Sequence, residues 1–155
     1  MKPVPTERSR TIKTSLVLPP DTNHMGTIFG GTILAYLDEV AAISAMRHSG
    51  EAVVTASFDS VDFLTPVKEG DIITVEGFVT WTGRTSMEVY AKVSSEKLPE
   101  REKRLTATSF ITMVAVDEHG KPKPVPPVQP QTEEERQLYK TAPHRQQLRK
   151  QGKQL

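Results

Sequence analysis

The sequence contains no cysteine. Disulfides, thiolate nucleophiles and cysteine zinc sites are therefore excluded, and a reducing, cytoplasmic setting is the expectation. No apolar run approaches the roughly eighteen residues of a membrane span, and the opening MKPVPTERSR lacks the apolar stretch of a secretory signal, so neither insertion nor export is expected. Charge of one sign is also scarce. Twenty Lys and Arg stand against 19 Asp and Glu, a formal net charge of +1 that makes no general case for nucleic acid or an anionic membrane as partner. The four histidines, His24, His48, His119 and His144, include no pair at metal-ligand spacing. HExxH is absent, and no serine sits in a GxSxG elbow. No bound metal or separate cofactor is expected.

What is present is organised around Asn23 to Gly50, NHMGTIFGGTILAYLDEVAAISAMRHSG. A glycine-bearing turn leads through Gly30-Gly31 into a helical pattern. Leu34, Leu37, Ala41 and Ala45 recur at three- and four-residue spacing, with Ile33, Val40 and Ile43 widening the stripe. Gly50 reads as the stop. A wide stripe rich in alanine predicts a helix held close against another surface.

Around it lie strand patterns. Ile12–Leu18 is stopped by Pro19-Pro20, and Val53–Leu64 is ended by Pro66. Ile72–Thr82 places Ile73, Val75, Val79 and Trp81 on one face; a Gly83-Arg84 turn follows. Ser86–Ser94 then alternates Met87, Val89, Ala91 and Val93 against Ser86, Glu88, Tyr90 and Lys92, and a last strand spans about 104–116. Short links make consecutive strands antiparallel neighbours. The fold class expected is α+β, a five-stranded antiparallel sheet curled round one long helix. Because a sheet covers only one side of a helix, the free face and the exposed edge strand invite a second copy of the chain. The length suits one domain: a polar lead over 1–11, the folded unit over 12–117, and a Pro-rich linker with a charged tail over 118–155. The tail reads as a helix opened by Glu133-Glu134-Glu135, broken near Pro143 and loosely packed.

Two features within the central stretch suit chemistry. Gly30 and Gly31 carry no side chains, so a ligand can approach the free N–H groups of the first helical turn, where a developing oxyanion is stabilised. The alternative is a turn that merely permits close packing. GTIFGG is a poor nucleotide loop, since no lysine follows it and the strand order is not parallel βαβ. Asp38 shares a helical face with Leu34, Ala41, Ala42 and Ala45, where a bare carboxylate is expensive, which makes it a candidate general base or nucleophile. Its structural alternative is a cap or an ion pair across an interface.

The string PPDTNHMGTIFGGTILAYLDEVAAISAMRHSGEAVVTASFDSVDF, followed by GRTSMEV, resembles the hotdog-fold acyl-CoA thioesterases of the cytosolic acyl-CoA hydrolase type, over about residues 12–116. The resemblance implies hydrolysis of acyl-CoA to free acid and coenzyme A, and dimers assembled into hexamers. It also implies catalytic roles for Asn23, before the glycine turn, and Asp38, on the helix. Where many members carry histidine before the Gly-Gly pair, this chain has Phe29.

Helix geometry adds a constraint. Gly30 and Asp38 are separated by about 12 Å of rise, so Asp38 cannot serve a carbonyl held at its own helix's N-terminus. The expected site therefore joins Asn23 and the Gly30/Gly31 turn of one subunit to Asp38 of another, with the carbonyl against Gly31 N–H. Arg84, Thr85 and Ser86 on the hairpin suit the phosphates of coenzyme A, against a structural ion pair of Arg84 with Glu88 or an interface acid; Arg47 and His48 are weaker candidates. The small Ala41, Ala42 and Ala45 favour medium-to-long acyl chains, about C8 to C16, unless they serve helix packing instead. The alternatives are a non-catalytic acyl-CoA-binding module, an acyl carrier protein thioesterase and an enoyl-CoA hydratase using His24.

Overall fold

The computed structural model describes residues 1–153. Its strands are β1 (Val4–Pro5), β2 (Thr11–Leu16), β3 (Ala52–Phe58), β4 (Ile72–Thr82), β5 (Ser86–Glu96), β6 (Lys103–Val116) and β7 (Val128–Gln129); its helices are α1 (Gly30–Ser49) and α2 (Glu133–Lys153). Five strands form one antiparallel sheet of order β2-β4-β5-β6-β3, curled round α1. This is the α+β hotdog architecture. β1 and β7 make a separate parallel pair, Val4 against Val128.

α1 begins without a side-chain cap at Phe29 and ends at Gly50, whose φ of 71° closes the helix with its N–H on the Met46 carbonyl, 2.8 Å away. Its inner face, Ile33, Leu37, Val40, Ala41 and Ala45, is buried against Val75, Val89, Ala91, Ile111 and Met113 of the sheet. The alanines let the helix lie close. Leu34, expected in the buried stripe, is 40% exposed, as is Met46 at 49%. These two residues and the half-buried Ala42 form an outer stripe beside Asp38.

β5 keeps its alternation: Met87, Val89, Ala91 and Val93 face α1, and Glu88 and Tyr90 face away. β4 does not keep its own. Val79 pairs with Val89 but Trp81 pairs with Glu88, so Thr80 is an extra residue and Trp81 turns to the outer face. A bulge in β3 between Thr55 and Ser57 acts in the same way: Thr55, opposite Met113, faces α1, and Ser57, opposite Thr112, faces outward.

The outer face is partly roofed by the chain ends. Arg10 pairs with Glu76 at 2.7 Å and reaches Glu135 at 3.4 Å. α2 lays Glu135, Leu138, Ala142, Arg145 and Arg149 inward at helical spacing. Under it lies Glu88, only 1% exposed. Its carboxylate accepts from Arg145 at 2.7 and 3.0 Å, from Thr80 Oγ1 at 2.6 Å and from Arg149. Arg149 also grips Asp59 with two bonds of 2.7 and 2.9 Å. Burial works against the charge of Arg149, but its bonds to Asp59 and Glu88 and their negative charge outweigh that and raise its pKa above the ordinary arginine value.

The helix expected to break near Pro143 runs through it. Pro143 is exposed, and so is Tyr139, the residue whose carbonyl loses its donor. The last two residues of the tail, 154–155, lie outside the described residues.

Candidate active site

The chain enters α1 through a turn built by Asn23. Its Oδ1 accepts the Met25 N–H at 2.9 Å, its Nδ2 donates to Thr27 Oγ1 at 2.9 Å, and its backbone N–H meets the Thr27 carbonyl at 2.8 Å. Gly26, with φ of 76°, supplies the left-handed step. Ile28 N–H to the Val67 carbonyl, 2.8 Å, and Phe29 N–H to the Asp21 carbonyl, 2.9 Å, then fix the direction of entry. The backbone hydrogen bonds of the first turn start at Thr32 and Ile33, both donating to Phe29. The N–H groups of Gly30 and Gly31 are left for another acceptor.

Gly31 faces open space, with nothing within 4 Å of where a Cβ would stand. At Gly30 that position is 3.4 Å from the ring of Phe63. Beside the turn is an open groove of ≈ 260 Å³, lined by Thr27, Ile28, Gly30, Ile33, Phe63 and Pro66 among others.

Asp38 stands two turns further along α1, half-exposed on the flank that faces the edge strand β3. Thr55 Oγ1 donates to its Oδ1 at 2.6 Å. The β3 bulge matters here, because Thr55 is the last residue on the helix side before the register shifts. Thr55 was not singled out in the sequence. The signal was available, a threonine in VVTASFDS, but only the pairing partner of Thr55 says which face it takes.

Within one chain, Asn23, Gly30 and Gly31 are together and Asp38 is apart from them, as the helical rise requires. The hairpin is further still. Thr85 accepts from Ala115 N–H at 3.0 Å and Arg84 from Val125 N–H at 2.9 Å, which places the turn where α1 ends. The glycine turn adjoins the start of β4, and the eleven residues of β4 separate the two by roughly 30 Å. Arg84 is exposed, and the ion pair considered for it with Glu88 does not form, since Arg145 and Arg149 occupy that carboxylate. Thr85 and Ser86 are half-buried.

Arg47 and His48 serve the fold. Arg47 donates to the Arg10 carbonyl at 2.9 Å, and buried His48 to the Pro126 carbonyl at 2.7 Å. Burial pushes the His48 pKa below its ordinary value, and nearby Arg8 acts in the same direction against the opposing Pro126 bond. His24 is exposed at the turn. Among the described residues no group of three His, Cys, Asp or Glu side chains is placed to hold a metal, and no helix is long and apolar enough to cross a membrane.

A family model described as "Thioesterase superfamily" matches residues 25–101. A Bacillus subtilis protein named as an uncharacterized acyl-CoA thioester hydrolase, YkhA, is 51% identical over 147 residues, 95% of this chain and 86% of its own length. A hexameric acyl-CoA thioesterase solved in its apo form aligns with a TM-score of 0.97 and 63% identity, over 100% of this chain and 99% of that one. The acyl-CoA hydrolase of Staphylococcus aureus, solved with butyryl coenzyme A, coenzyme A and coenzyme A disulfide, aligns with a TM-score of 0.91 and 45% identity, over 97% and 92%. Alanine variants of that enzyme at an aspartate, an asparagine and a threonine have also been solved.

Proposed function

The chain belongs to the thioesterase superfamily and is an acyl-CoA thioester hydrolase, and from that premise we propose how its residues divide the reaction. Each site is composite. One subunit supplies Asn23 and the Gly30/Gly31 turn; its partner supplies Asp38, held by Thr55. The acyl carbonyl lies against Gly31 N–H, where the open space and the unpartnered donor suit an oxyanion. Asp38 either takes a proton from water as that water attacks the carbonyl, or attacks the carbonyl itself and expels the coenzyme A thiolate, forming an anhydride that water then cleaves to the free acid and Asp38. In the first route the C–S bond breaks as the tetrahedral intermediate collapses, and the proton held on Asp38 passes to the departing thiolate. Asn23 orients the water or the thioester through the Nδ2 hydrogen not bound to Thr27. Coenzyme A enters with the substrate and leaves as product.

The observation that carries this reading is the placement of Asp38: half-exposed, bonded to Thr55 at 2.6 Å, and about 12 Å along the helix from the glycine donors of its own chain. A second helix lying antiparallel on the outer stripe of Leu34, Ala42 and Met46 brings its own glycine turn to Asp38. The assembly is accordingly a homo-oligomer with the dimer as catalytic unit, and a hexamer of three dimers is proposed on the strength of the hexameric relative. The Arg84–Ser86 hairpin then belongs with the Asp38 of its own chain, some 16 Å from it along the helix axis, a span suited to an extended pantetheine arm reaching cationic and hydroxyl groups. Ala41 and Ala45 are wholly buried against the sheet, so the seam beside Ala42 and Met46, where the two helices meet, is what is left to take an acyl tail. Its apolar flank favours medium-to-long chains.

Release of free thiol from acyl-CoA by the purified protein tests the reading. Asp38→Asn in a folded, normally assembled enzyme is expected to lower kcat by about 10² or more. Near-normal turnover removes Asp38 from the mechanism, and an acyl-CoA complex that releases no thiol leaves a binding module instead.

A further inference from the structure

Between β3 and β4 the chain does not simply turn. Asp59 N–H bonds to the Phe110 carbonyl at 2.9 Å and Leu64 N–H to the Thr106 carbonyl at 2.8 Å. The four residues between these anchors leave the sheet edge, and within them Phe63 reaches the first turn of α1, its ring 3.4 Å from the Cβ position of Gly30. This loop thus forms one wall of the groove beside the Gly30/Gly31 donors. Its leading anchor is gripped from the other side of the sheet, since Arg149 of α2 holds both carboxylate oxygens of Asp59.

We propose that Arg149 is a positioning residue for the active site: through Asp59, the C-terminal helix fixes the loop that carries Phe63 and so sets the width of the groove at Gly30. The proposal rests on the placement of the thioester at that turn. Three observations support it. The Arg149–Asp59 pair is bidentate, which constrains direction as well as distance. Near Arg149 an open hollow of ≈ 220 Å³ lies between α2 and the sheet, and among the described residues α2 lines it with Gln146, Arg149 and Lys150 and no apolar side chain. Glu88, the other partner of Arg149, keeps Arg145 and Thr80 when Arg149 is lost. Asp59 is 24% exposed and can take up water. Removing Arg149 should therefore release the loop without leaving an unpaired buried charge.

The experiment is Arg149→Gln in the full-length oligomer, read by hydrogen exchange without substrate and by steady-state kinetics. Exchange is expected to quicken at the bonded amides that bracket the loop and the helix entry, Asp59, Leu64, Thr32 and Ile33, while β4 and β5 stay protected. KM for acyl-CoA should rise about tenfold with kcat within about twofold. Arg149→Lys should recover part of the loss, and Asp59→Asn combined with Arg149→Gln should cost no more than either alone. Faster exchange confined to α2, an unchanged KM, or additive losses in the double variant would each overturn the proposal. If Arg149→Gln does not fold, Asp59→Asn releases the same clamp from the loop side and takes the same readings. Exchange needs no turnover, so a failure of the catalytic reading is told apart from a failure of this one.

Discussion

Gly77 and Gly31 show how differently one residue type can be used. β4 passes beneath α1 at Gly77, and a Cβ there would stand 2.9 Å from Val40 Cγ1 and 3.5 Å from the Tyr90 carbonyl. Gly77→Ala must therefore push the helix or the side chain aside, and should destabilise the fold by about 1–3 kcal/mol, visible as a lower urea midpoint with unchanged slope. Gly31 has open space instead, and its N–H is the donor proposed for the acyl carbonyl. His48 adds a pH dependence. It donates to Pro126 from a buried position and its folded pKa is lowered, so the native state resists protonation. The unfolded chain binds that proton near its ordinary pKa of about 6.5. Stability from this group is thus complete above that value and is lost as pH falls below it toward the folded pKa. His48→Gln keeps a donor for Pro126 and should flatten the fall in urea midpoint between about pH 7.5 and 5.5. An equally steep fall in the variant would assign the dependence to other groups.

At the level of elements, the sequence exposed whatever followed a strict period. β5 alternates without interruption and its two faces were legible residue by residue; α1 was legible from its small-residue stripe and the Gly50 stop. What escaped depended on pairing. The extra residue at Thr80 sends Trp81 to the outer face, and only the opposition of Val79 to Val89 and Trp81 to Glu88 reveals it. Thr55 was missed for a related reason, since the β3 bulge decides which hydroxyl meets Asp38. The tail is helical, as its acidic start implies, but it is neither broken at Pro143 nor merely solvated, because a proline and a run of charges hide its inward face. The buried partner of Arg145 and Arg149 lies some sixty residues earlier in the chain, at Glu88, and no local pattern links them. Asp38 and the glycine pair were recognisable as types of residue, but their separation along one helix had to be read as a distance before it carried meaning.

For the whole molecule, that distance is the central point. Asp38 and the Gly31 donor lie too far apart along one helix to meet within a subunit, so the proposed division of the site makes catalysis a property of the assembly. Two inactive variants test this: Asp38→Asn, which keeps the glycine turn, and Gly31→Pro, which removes one N–H in a helical first turn that tolerates proline. If sites are shared, a mixed dimer has one intact site, with Gly31 from the first variant and Asp38 from the second, and one site with both defects. Co-refolding the two in equal amounts makes about half of the dimers mixed, each with half its sites intact, so thiol release should return to about a quarter of the wild-type rate. Recovery to that level, absent when the two preparations are mixed without dissociation, is the predicted result. A re-associated mixture as inactive as its components would place the whole site within one chain and contradict the account.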